Sequence, residues 1–371
     1  MDRWRDGGDG WRECLEAYVR RLDRMETGDA PALSGLVEDW AFLKHCGDKY
    51  RRLSAGRAAG GRPVRAETAF RPVWTIRRPG GPRVRIRLAR RLVYGDGREE
   101  ERIEQETLDF VCRGGRWTIA RLVPDVPEKR GHGGNVPPAS GQATCGPAAG
   151  SSAHEPAKAG SPARAPATVG LSARAPATVG PSARIPPDGS GSTDGRENRR
   201  GARAVRYDRE AAKAYADAWW NGTNPKFHRF AVDCTNYVSQ CLFAGGLPMD
   251  YTGRRDSGWW YMGYAGGAER WSYSWAVAHS LRQYMASGSL PPRGMPKEDP
   301  RELDIGDVIF YDWDGDGRWQ HSAIVTGRDR DGWPLVNAHT SDSKRRFWDY
   351  RDSYAWSTRT RYAFLHVPDE L

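Results

Sequence analysis

The chain has 371 residues, 38% of them hydrophobic, and a formal net charge of +10 from 57 Lys and Arg against 47 Asp and Glu. That length holds two or three domains, and no run approaches the roughly 20 apolar residues of a membrane span. The positive charge favours anionic surfaces, but arginine is scattered with no basic helix, which argues against specific nucleic-acid binding.

The opening residues, Met1 to Gly8, lack the apolar core of a secretory signal. A cytoplasmic location is therefore expected, with release by lysis or a non-classical route for any action outside the cell. Trp11, Leu15, Tyr18, Val19 and Leu22 recur at helical spacing. A second helical stretch runs from about Ala30 to Leu53. Four strand-like runs follow, Ala69–Arg78, Arg83–Tyr94, Ile103–Arg113 and Trp117–Val123, broken by Gly- and Pro-rich hairpin signals. Residues 1–125 thus read as a small α+β domain, helices on one face of an antiparallel meander. Its element order resembles the cone-shaped nuclear-transport-factor-type fold. No catalytic constellation is found in it.

Residues 126–203 read as a disordered linker rich in Gly, Pro, Ala and Arg. Within it a ten-residue unit recurs, from Ser161 to Gly170 and again from Leu171 to Gly180. A spacer of this kind predicts that the two flanking halves fold independently.

Residues 204–371 form the catalytic candidate. Asp208 is the expected N-cap of a helix burying Ala212, Tyr215, Ala216 and Trp219. A helix begins at Cys234 and stops at Gly245-Gly246; a third spans about Ser274 to Met285. From Gly306 the pattern turns to strands, at Asp307–Tyr311, Gln320–Thr326, Leu335–Thr340 and Tyr362–Val367. Helices before an antiparallel sheet are again α+β.

The six cysteines, at 14, 46, 112, 145, 234 and 241, form no Cys-x-x-Cys pair and support neither a zinc site nor a disulfide framework. No cofactor or metal is expected. Asp312-Trp313-Asp314-Gly315-Asp316-Gly317 imitates the start of a calcium loop, but Ala323 stands where the closing Glu belongs, so it reads as a polar turn. The eleven tryptophans after residue 204 suit either a substrate groove or a core.

Cys234 stands at a helix start, where unpaired N–H groups and the helix dipole favour thiolate. Its own N–H is expected to serve as an oxyanion donor. His321 follows on a strand, sharing a face with Ala323 and Val325, and is expected to lead into a cleft. Asn337 and His339 alternate onto one face of the next strand. Either could bind the second ring nitrogen of His321 and fix its tautomer.

Taken together, D-C-T-N-Y-V-S-Q-C-L-x-A-G-G at 233–246, G-D-V-I-F-Y-D-W at 306–313, H-S-A-I-V-T at 321–326 and A-H-T at 338–340 resemble the putative amidase domain family. That family is a branch of the papain-like superfamily, related to NlpC-type and CHAP cell-wall hydrolases. The resemblance implies a papain-like fold, Cys234 as nucleophile and His321 as general base, with His339 favoured over Asn337 as third residue. It implies a cysteine amidase or peptidase acting through a thioester on peptide or peptidoglycan-type amides. The alternatives are a non-catalytic peptide- or glycan-binding module and an acyltransferase using the same dyad. The oligomeric state is not legible.

Overall fold

The computed structural model describes residues 10–30, 33–56, 61–130, 205–265, 268–288 and 290–371. The expected linker lies outside the described residues from 131 onward.

Helix α1 (Gly10–Thr27) buries Trp11, Leu15, Tyr18, Val19 and Leu22, the face expected from their spacing. Helix α2 (Trp40–Gly56) starts ten residues later than expected. The reason is local: Gly35 has φ +76, a left-handed turn that a helix cannot contain, and Val37 instead bridges to Ile119. Asp39 then accepts the N–H of Phe42 and starts the helix. Strands β1 (Pro63–Ile76), β2 (Arg83–Tyr94), β3 (Glu99–Arg113) and β4 (Arg116–Pro124) form an antiparallel meander. Leu15, Tyr18 and Leu22 of α1 pack with Val84, Ile86, Leu88, Leu108 and Ile119 of the meander.

The second half begins with α3 (Arg209–Trp219), capped as expected by Asp208, whose side chain accepts the N–H of Ala211 at 2.9 Å. Helix α4 (Cys234–Ala244) follows. A small hairpin, β5 (Tyr261–Ala265) and β6 (Ala268–Trp271), leads into α5 (Tyr273–Ala276) and α6 (Ala278–Ser287). The last six strands are β7 (Met295–Lys297), β8 (Val308–Asp312), β9 (His321–Arg328), β10 (Pro334–Ala338), β11 (Ser343–Phe347) and β12 (Arg361–His366). The fold is α+β. No described helix is long and apolar enough to cross a membrane.

One antiparallel sheet runs through both halves, in the order β1-β2-β3-β11-β10-β9-β8-β12-β7, with β4 also on β3. The joint is β3 with β11, Ser343 opposite Arg102 and Lys344 opposite Glu101. Glu99 to Arg102 is too charged to read as a strand, which explains why the expected β3 began four residues late. Pairing on both edges makes it one: Arg91 on β2 grips Glu99, and β11 takes the other side.

Buried side chains also join the two halves at this seam. Arg102 lies buried between Glu100 and Asp352, and Asp352 also accepts from Arg346 at 2.9 Å. Tyr354 stacks on His45 with ring centroids 4.5 Å apart. Composition of the intervening tract carries no information about these long-range partners.

In the second half each sheet face has its own core. Val308, Phe310, Ile324 and Leu365 face α3 and α4. Ile309, Tyr311, Ala323, Val325 and Val336 face the other way, with Trp313, Tyr350 and Ala355. The G-D pair at 306–307 is a clamp. Gly306 has φ +87, and a Cβ there would lie 2.6 Å from the Tyr207 hydroxyl. Asp307 accepts from Arg209, Val367 N and Asp304 N, and pairs with His366.

Candidate active site

Helix α4 is the central helix of the second half, buried continuously from Cys234 to Leu242. Its polar residues are matched. Tyr237 donates to the Ala216 carbonyl, Ser239 to the Trp275 carbonyl, and the Trp275 indole to Asn236. A buried helix tolerates such residues because each finds a partner. Asp233, just before it, is not a side-chain cap. Its Oδ1 accepts from Phe230 N at 2.8 Å and from the Asn236 amide at 2.9 Å.

The cap comes from elsewhere. Thr340 Oγ1 accepts the N–H groups of both Asp233 and Cys234, each at 2.9 Å. The Cys234 N–H, expected to be a free oxyanion donor, is thereby occupied. Thr340 holds φ 82, unusual for a β-branched residue.

Cys234 is 2% exposed. Its Sγ lies 4.0 Å from the Gln320 carbonyl and 3.7 Å from the Thr235 hydroxyl, which itself meets Ser322 Oγ at 3.1 Å. The registered pairing of β10 with β9 ends at Asn337 opposite Ile324. Cys234 therefore docks at the start of β9, beyond the end of β10, against the backbone on either side of His321. Burial pushes the thiol up from its ordinary value; hydrogen bonds from the Ser322 backbone, Thr235 and Thr340 oppose that shift. The expected thiolate is corrected here, because desolvation outweighs the helix start.

His321 shares its face with Ala323 and Val325 as expected, but the ring enters no cleft. It is fully buried, with the rings of Tyr311, Trp313 and Tyr350 at 5.3, 5.8 and 5.4 Å. Neither ring nitrogen has a hydrogen-bond partner, so none joins it to Sγ. Burial, and secondarily the Arg346 charge, pushes its pKa down to about 3. The resting pair is thus a protonated thiol and a neutral imidazole.

His339 is placed otherwise than an orienter of His321. Its Nδ1 meets Asp233 Oδ2 at 2.7 Å, its Nε2 donates to the Trp219 carbonyl at 2.7 Å, and the ring stacks on Tyr237 at 4.0 Å. Asn337 lies on the same strand face and is also engaged. It accepts from Thr326 Oγ1 and Arg345 N, each at 2.8 Å, and donates to Asp217 at 3.0 Å. The cause is register. Val336 pairs with Val325, so Val336 takes the His321 face and its neighbours take the other.

The residues that sequence reasoning missed are Asp233 and Thr340, each adjacent to a residue it singled out. The order D-C and H-T was the available signal. The dense tryptophans resolve mainly as core, since Trp259, Trp260, Trp275 and Trp313 are fully buried. Asp312 closes the calcium-like turn on itself, accepting the N–H groups of Gly315, Asp316 and Gly317. Among the described residues no cluster of three His, Cys, Asp or Glu is arranged for a metal.

Residues 206–365 match the family model described as "Putative amidase domain". That span contains Cys234, His321, His339, Asp233 and Thr340. The chain is also 46% identical over 168 residues to "Uncharacterized protein YhbB" of Bacillus subtilis (strain 168). The overlap is 45% of this chain and 52% of that protein, so the chain spans about half the length of this relative. No solved structure matches. The family match supports a general amidase-like role for the segment.

Proposed function

We propose that residues 205–371 form a papain-like, cysteine-dependent amide hydrolase. The observation that carries this reading is the docking of the Cys234 thiol against the backbone that brackets His321, within the amidase-matched segment. In this mechanism His321 takes the thiol proton as Sγ attacks the amide carbonyl. It then gives that proton to the departing amine, leaving a thioester on Cys234 that water hydrolyses.

The resting site is closed, and the chemistry requires it to open. A ring with a pKa of about 3 is a poor base. Entry of substrate or water would raise it by restoring hydration, and would give its nitrogens partners. His339 acts one step back, holding Asp233 and with it the start of α4. Peptide or peptidoglycan-type amides are the proposed substrate class. The test is hydrolysis of such amides by the full chain and by Cys234→Ala and His321→Ala. Loss of product release in both variants, each still folded, is expected. Binding without turnover in the unaltered chain would favour a peptide-binding module, and release only in the presence of an added amine would favour acyl transfer.

A further inference from the structure

The site is not finished by the amidase-matched segment. Glu128 lies in the short 3-10 turn Pro127–Lys129, just after β4, outside residues 206–365. It is 3% exposed. A buried carboxylate is costly unless it is fully matched, and its partners are all in the second half. Oε1 accepts from Ser353 Oγ at 2.8 Å, Oε2 accepts from Ser341 Oγ, and the main-chain carbonyl accepts from the Trp313 indole at 3.0 Å. Trp313 is a wall of the His321 enclosure. Ser341 is the residue after Thr340.

Thr340 needs holding from both sides. A β-branched residue at φ 82 is strained and persists only where its surroundings over-determine it. On the N-terminal side His339 is fixed by two hydrogen bonds. On the C-terminal side Ser341 is tied to Glu128.

We propose that Glu128 is a positioning residue of the thiol site, fixing the 339–341 turn so that the Thr340 hydroxyl stays on the N–H groups of Asp233 and Cys234. The inference rests on Cys234 being the nucleophile. It means that the first half of the chain contributes a side chain to the organisation of the site in the second. Asp233 is the charged group facing the thiol, and Glu128 acts on Cys234 only through Thr340.

The test uses the full chain and iodoacetamide, with the alkylation rate at Cys234 followed against pH by peptide mapping. The midpoint of that profile reports the thiol's surroundings independently of how fast reagent enters. Thr340→Ala should raise the midpoint by roughly half a unit or more, since the hydroxyl that holds the N–H groups beside the thiol also opposes the upward shift caused by burial. Glu128→Ala should raise it similarly, and Glu128→Gln much less. The double variant Glu128→Ala with Thr340→Ala should sit no higher than Thr340→Ala alone, because the two act on one path. An unmoved midpoint in either single variant, or shifts that add in the double, overturns the proposal. If Glu128→Ala does not fold, Ser341→Ala removes the same bond from a half-buried hydroxyl and is read by the same criteria. Amide hydrolysis persisting in Cys234→Ala would sink the nucleophile assignment while leaving this coupling standing, so the two failures are distinguishable.

Discussion

The hydroxyl of Thr340 receives, at 2.9 Å, the backbone N–H of Cys234, a residue 106 positions earlier in the chain. The start of the central helix is therefore capped by a turn of the sheet, and the cysteine is fixed by the sheet rather than by its own loop. Removing that hydroxyl should loosen α4. Thr340→Ala is expected to cost about 1 kcal/mol, the ordinary value of a lost cap. Thr340→Ser should keep most of the stability. Urea unfolding of the three proteins, compared at their midpoints, checks this.

His339 and Asp233 form a buried pair at 2.7 Å, both about 4% exposed at the side chain. His339→Ala leaves Asp233 Oδ2 and the Trp219 carbonyl without their ring partner, while Asp233 Oδ1 keeps Phe230 N and the Asn236 amide. About 3 kcal/mol should be lost, as for other buried pairs broken from one side. A His339→Ala protein with an unaltered unfolding midpoint would show that the pair carries no weight.

Stability should also depend on the enclosure of His321. Its folded pKa of about 3 lies below the unfolded value of about 6.5. Between those values the unfolded chain binds the extra proton, so stability is full above about pH 6.5 and falls as pH drops toward 3. His45, pushed down to about 4 by burial, acts in the same direction. His321→Phe should flatten the decline and leave the shares of His45, of His279, which burial also pushes down, and of the carboxylates. Unfolding free energies at a series of pH values read the difference.

The joint between the halves makes a separate prediction. Asp352 accepts from Arg102 of the first half and from Arg346 of the second, all buried. Arg102→Met should cost about 3–5 kcal/mol because one partner of a buried network is removed. Residues 204–371 alone should unfold well before the full chain does. Equal unfolding midpoints for the fragment and the full chain would mean that the shared sheet adds nothing.

The α+β class, the face of α1, the Asp208 cap and the start of α4 at Cys234 were legible because each depends on neighbours within a few turns. The placement of His339 was not. Its partners, Asp233 and the Trp219 carbonyl, are fixed by strand register and helix docking over more than a hundred residues. The same holds for Glu128, which in sequence is one more residue of a polar tract. The state of Cys234 was misjudged for a different reason. A helix start is visible in the sequence, but burial, which here dominates the thiol, is a property of the whole fold.

The central claim is that Cys234 carries the acyl group. The most direct measurement treats the full chain with an acyl-transferring, thiol-reactive amide probe and maps the modified cysteine. Cys14 and Cys46 are buried with thiols pushed up to about 11 and about 12, and burial also pushes the Cys241 thiol well up, so none of these competes. The account predicts a single acyl adduct on Cys234, absent from Cys234→Ala and no longer formed in His321→Ala. An adduct on another cysteine, or labelling of Cys234 unchanged by His321→Ala, would contradict it.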